Sequence, residues 1–75
     1  MQKLSDVQIN SSVIVEKLLF SGSLRERMLA LGFTKGAVIN VIRKGPKNNL
    51  TVYKIRGTKI ALRKEESSLI LVNAI

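Results

Sequence analysis

Seventy-five residues suffice for one small domain whose core stabilises it only marginally. The chain contains no cysteine and no histidine, which removes disulfide staples, soft zinc sites, imidazole acid–base chemistry and thiol nucleophiles together. Its net charge of +8 is unevenly placed: every charged residue between Glu26 and Glu65, from Arg27 to Lys64, is basic, a field suited to nucleic acid, anionic lipid or an acidic protein surface.

Leu4 and Val7 can tuck a leading segment against the body, and Asn10-Ser11-Ser12 reads as a turn. Val13–Leu18 is rich in β-branched residues and alternates well enough for a first strand. Ser23 and Glu26 have capping-box spacing and predict a helix starting near Leu24. Gly32 is placed to close that helix in the left-handed conformation, with Phe33 folding back onto Met28 as in a Schellman stop. Leu24, Met28 and Leu31 share one face and call for a sheet to cover them, while Arg25, Arg27 and Ala30 fall on the other sides.

Thr34-Lys35-Gly36 turns the chain into a strand over Ala37–Lys44, with Val38, Asn40 and Ile42 on one face and Ile39, Val41 and Arg43 on the other. Gly45–Asn49 is the strongest loop signal. Leu50–Arg56 returns as the second strand of a hairpin, and a turn at Gly57-Thr58 leads into Thr58–Leu62. Lys64–Ser67 makes a helical turn, and Ser68–Val72 closes the set. Five strands, one short inserted helix and tight corners predict a mainly β fold, a small closed SH3-like barrel, with an OB-fold barrel as the alternative. If Ile39, Val41, Tyr53 and Ile55 face inward, then Val38, Ile42, Leu50 and Val52 form an apolar outer stripe. Such a stripe suits a protein contact or a homo-oligomer seam; the other reading is that the leading segment or the helix covers it.

The chemistry is sparse. Glu65 and Glu66 are adjacent, the serines lack an imidazole, and no phosphate-binding glycine loop of the P-loop type occurs, so no catalytic residue, and no enzyme, is expected. Arg63 with Glu66 and Arg27 with Glu26 fit simple surface ion pairs. A nucleic-acid-binding barrel has the charge but only Phe20, Phe33 and Tyr53 for stacking, so it stands as the alternative to a basic adaptor. Met1–Asp6 lacks a signal peptide's apolar core, and later apolar runs such as Leu69–Val72 fall far short of the roughly 20 residues that span a bilayer. A cytoplasmic chain with no direct membrane insertion is expected.

Leu24–Gly36, Val38–Val41, Gly57–Glu66 and Leu69–Val72 together resemble the FeoA family, the ferrous iron transport protein A family. The resemblance spans nearly the whole chain as a single domain over 1–75. The family's Arg-rich helix ending in Leu-Gly, its glycine turn and its Gly-x-x-Leu-Ala-Leu-Arg-like segment are matched at Arg27, Leu31, Gly32, Gly36, Gly57, Ala61, Leu62 and Arg63. Lys35 stands where the family often has proline, Ile60 replaces a leucine, and Lys47-Asn48-Asn49 replaces a Gly-Asp-Pro-like loop.

The resemblance implies an SH3-like accessory in iron homeostasis that performs no chemistry. Its partner would be the cytosolic part of a ferrous iron permease with its own G-protein domain, which would hold the chain at the inner membrane. Although the family context is transition metal ion binding, a direct Fe²⁺ carrier needs imidazole, thiolate or clustered carboxylates, so no metal site and no cofactor are expected here. The expected contact surface joins Arg25 and Arg27 on the helix to Val38, Ile42, Arg43, Leu50 and Val52 on the hairpin.

Overall fold

The computed structural model describes residues 1–75, the side chain of Asn48 excepted. In chain order the elements are β1 (Gln2–Lys3), a 3-10 turn (Leu4–Asp6), β2 (Ser12–Leu18), α1 (Gly22–Ala30), β3 (Val38–Lys44), a short 3-10 segment (Pro46–Asn48), β4 (Leu50–Ile55), β5 (Thr58–Arg63), α2 (Lys64–Ser67) and β6 (Ile70–Ala74). All pairings are antiparallel, in the order β1-β6-β2-β3-β4-β5. The fold is the expected mainly β, SH3-like one. It has six strands rather than five, because Gln2 and Lys3 pair with Val72 and Leu71.

The sheet curls around a core of Leu4, Val13, Val15, Met28, Phe33, Ile39, Val41, Tyr53, Ile55, Leu62, Ile70 and Val72. The strands supply alternate residues to this interior, as their pleat requires. Leu4 and Val7 are buried, so the leading segment does tuck in. The hydrogen-bonded ladder ends at β1 and β5 rather than joining them into a ring. At that seam α2 packs against the Leu4–Asp6 turn. The β5 edge carries Lys59 and Arg63 and is partly capped, since the Arg63 amide donates to Glu66 Oε1 at 2.9 Å; charge on an edge strand discourages further strand addition.

The helix stop forms as the sequence predicts. The Phe33 amide donates to the Met28 carbonyl at 3.1 Å and the Gly32 amide to the Leu29 carbonyl at 3.0 Å, with Gly32 at φ +110°. These are the two bonds of a Schellman motif. Phe33 and Met28 are both fully buried.

The helix start differs. Ser21 occupies the N-cap position, no side-chain oxygen caps the helix, and Gly22 turns the chain in at φ +63°. Ser23 therefore lies inside the first turn instead of in the extended conformation a capping serine needs. Leu31, expected on the buried face, sits at the C-cap and is exposed, while Leu29 is half-buried.

Two register shifts break the plain alternation. One lies between Val15 and Lys17 in β2, the other between Val41 and Arg43 in β3. The second corrects the expected faces of β3: beyond Ile42 the parity reverses, Arg43 pairs with Val52 and is exposed, and Lys44 pairs with the buried Thr51. An extra residue in one strand of an antiparallel pair has this effect.

The β4–β5 turn centres on Arg56 and Gly57, one residue earlier than expected. Both have positive φ, +50° and +79°, the pattern of a type I′ hairpin turn.

Candidate partner-binding surface

The outer face of the β3–β4–β5 sheet is built by register. Val38 pairs with Ile14 of β2; Asn40 lies opposite both Ser12 and Lys54; Arg43 faces Val52, which in turn faces Ala61; and Leu50 faces Arg63. Val38 is 46% and Leu50 43% exposed, and Ile42 and Val52 are half-buried. Neither the leading segment nor α1 covers these two exposed side chains.

The four aliphatics do not form one unbroken stripe. A polar row, Ser12, Asn40, Lys54 and Lys59, crosses the sheet between the Ile14–Val38 pair and the group Ile42, Val52, Ala61 and Leu50. Asn40 Nδ2 donates to Ser12 Oγ within that row. Lys54 and Lys59 are directly opposite each other, a like-charge pairing that costs stability and favours a nearby anion. Arg43 and Arg63 flank the lower apolar group, giving it a basic rim.

The two helix arginines stand apart from this face. Arg25 lines a shallow groove between α1 and β2 with Val15, Glu16, Lys17, Leu18, Leu29 and Lys35. Arg27 is exposed on α1. In the groove Glu16 accepts from Asn73 Nδ2 at 3.0 Å and pairs with Lys35 at 3.7 Å. Lys35–Glu16 is the one ion pair among the described residues, and its exposure leaves it worth little. The expected Arg63–Glu66 contact is made through the Arg63 amide rather than the guanidinium.

Three contributors to this surface escaped the sequence reading. Lys54 and Lys59 become neighbours only through the hairpin register, which follows once the two-residue turn is placed at Arg56-Gly57. Arg56, which looks like another free cation in the basic half, reaches back to donate to the Thr34 hydroxyl at 2.8 Å and the Gly32 carbonyl at 3.5 Å. It fastens the β4–β5 turn to the helix stop. No group of three or more Asp or Glu side chains is assembled as a metal cage among the described residues, and no helix among them is long and apolar enough to cross a membrane.

The FeoA domain family matches residues 2–74. The chain belongs to the FeoA family. Among solved structures it is similar to iron(II) transport protein A from Clostridium thermocellum, at 32% identity and TM-score 0.94, covering 99% of this chain and 46% of that one. It is also similar to a Stenotrophomonas maltophilia FeoA described as complexed with zinc and as an SH3 domain protein, at 26% identity and TM-score 0.85, covering 97% and 91% of the two chains.

A curated relative in Porphyromonas gingivalis, an Fe(2+) transport protein A/Fe(2+) transporter FeoB fusion protein, is 27% identical over 73 residues. That match covers 97% of this FeoA-family chain and 9% of the fusion. The fold extends further, to ScaR with bound Cd²⁺ at 17% identity and TM-score 0.83, covering 96% of this chain and 35% of that one.

Proposed function

We propose that this FeoA-family chain is a non-enzymatic accessory of ferrous iron uptake that docks on the cytosolic, G-domain-containing part of a FeoB-type permease and assists or regulates transport. The observation that supports this most is the Porphyromonas gingivalis fusion, where an FeoA-like segment and FeoB share one polypeptide. Covalent linkage raises the effective concentration of two modules to the millimolar range, about what a weak regulatory contact needs.

The surface proposed for it is the outer hairpin face, Val38, Ile42, Arg43, Leu50 and Val52, with Arg25 and Arg27 at a second point of contact. Apolar side chains within a basic rim match an acidic patch with an apolar centre, the arrangement in which charge steers encounter and the desolvated centre holds the complex. In this reading the chain resides in the cytoplasm, at the inner membrane through its partner, with no metal site of its own.

Uptake of labelled Fe²⁺ by cells lacking the chain tests the reading. Complementation by the wild-type chain should restore uptake, and a Leu50→Ser/Val52→Ser double variant that remains folded should restore markedly less. Uptake unchanged by deletion of the chain would refute the transport role.

A further inference from the structure

At the seam of the sheet, away from the outer hairpin face, a cavity of about 250 Å³ is lined by Ser5, Asp6, Lys44, Thr51, Lys64 and Ser67. Four elements contribute: the Leu4–Asp6 turn, the end of β3, the start of β4, and α2. All six lining residues are polar or charged, in a fold whose interior is otherwise aliphatic and aromatic. Among the described residues Thr51 and Ser67 are the two buried polar ones, at 7% and 1% exposure, and their hydroxyls are the polar neighbours of the Tyr53 phenol.

Lys44 reaches this place because of the β3 bulge. Regular alternation from Ile39 and Val41 would bring Arg43 inward and send Lys44 out to solvent; the extra residue reverses this and sets Lys44 opposite Thr51. Bulges commonly re-aim a side chain in this way. The backbone of Lys64 is anchored at the seam, its amide donating to the Asn49 carbonyl at 3.1 Å, while its side chain is exposed. Among the described residues neither lysine has a carboxylate within 4 Å, although Asp6 lines the same cavity. Two ammonium groups outside ion-pair distance of any carboxylate thus share a cavity with three hydroxyls; that of Ser67 donates to the Lys64 carbonyl at 3.4 Å, and those of Ser5 and Thr51 can each donate a hydrogen bond to a ligand.

We propose that this seam cavity is a binding site for a phosphate group, with Lys44 and Lys64 supplying charge and Thr51 and Ser5 supplying hydroxyl donors. The volume accommodates a tetrahedral oxyanion and several waters, each water taking about 30 Å³. Charge-assisted hydrogen bonds from lysine to phosphate oxygens are the stronger class. Asp6 opposes the anion and sets the affinity low, so the site is suited to a ligand present at millimolar concentration. This inference does not depend on the transport role.

Two-dimensional amide NMR of the full chain, titrated with inorganic phosphate against sodium chloride at matched ionic strength, tests it. Saturable shifts confined to Ser5, Lys44, Thr51, Lys64 and Ser67 are expected, with a millimolar or tighter dissociation constant. A parallel titration with glycerol 3-phosphate separates the two sources: binding of both identifies a phosphomonoester site, and binding of inorganic phosphate alone a free-anion site. Lys44→Gln/Lys64→Gln should weaken phosphate binding at least tenfold with the dispersed spectrum retained. Asp6→Asn should tighten it, and Lys54→Gln/Lys59→Gln on the outer face should leave it unchanged. Shifts no different from those in chloride, retained affinity in the Lys44/Lys64 variant, or loss of binding in Asp6→Asn would each overturn the proposal.

Discussion

At single positions, Gly32 carries the most structural weight. Its φ of +110° is a region side chains rarely adopt, and an added Cβ would meet Arg56 Cδ at 3.0 Å. Gly32→Ala should therefore cost about 1–3 kcal/mol, read as a lowered urea midpoint with unchanged m-value. The glycine was legible in sequence as a helix stop; its packing under Arg56 was not, because that contact joins residues 24 apart through a turn whose register only the fold defines.

Tyr53 makes a pH prediction. Burial raises its phenol above the ordinary value of 10.0, only partly offset by the Ser67 and Thr51 hydroxyls. The unfolded chain releases this proton first as pH rises, so above about pH 10 the native state holds more protons and stability falls until the raised native value is passed. Chemical denaturation between pH 9 and 11 should show that decline, and Tyr53→Phe should flatten it. An equally steep decline in Tyr53→Phe would locate the effect elsewhere.

At the scale of elements, α1 is held by its stop and its buried side chains rather than by its start. Nine residues are too few for a stable isolated helix, and no side-chain oxygen caps its N-terminus. Phe33→Ala should cost about 3–5 kcal/mol, enough to leave a chain of this size largely unfolded at 37 °C, whereas Ser23→Ala should leave the thermal midpoint nearly unchanged. Circular dichroism melts of the two variants check both.

The strands were readable because β-branched residues alternate between turn signals. The β3 bulge was not, since Val38–Lys44 carries apolar residues on both faces, so a change of parity leaves no mark in the pattern, and contains no glycine to mark an irregularity. Plain alternation therefore sets Arg43 on the side of Ile39 and Val41, at odds with its place in the expected contact surface, and does not reveal the turning of Lys44 into the seam. The two-residue strand β1 was hidden too, as Gln2 and Lys3 are exposed polar residues whose pairing rests on backbone alone.

For the whole molecule, charge and exposed aliphatic surface decide how it meets others. The excess of +8 sits on a chain whose exposed Val38 and Leu50 occupy the two ends of one sheet face. The alternation of β3 and β4 gave the composition of that face. Its division by the Asn40–Lys54–Lys59 row depends on strand register, and the position of Arg25 in a separate groove depends on how α1 lies along β2, neither of which local sequence specifies.

The most direct measurement is calorimetric titration of the chain with the soluble cytosolic part of a FeoB-type permease at low and physiological salt, beside a random single-stranded oligonucleotide. Saturable binding to the permease fragment is expected, moderately weakened by salt, lost in Leu50→Ser/Val52→Ser and reduced about tenfold or more by Arg43→Glu, in variants that melt like the wild type. Steeply salt-dependent binding to the oligonucleotide with none to the permease fragment would contradict the adaptor role.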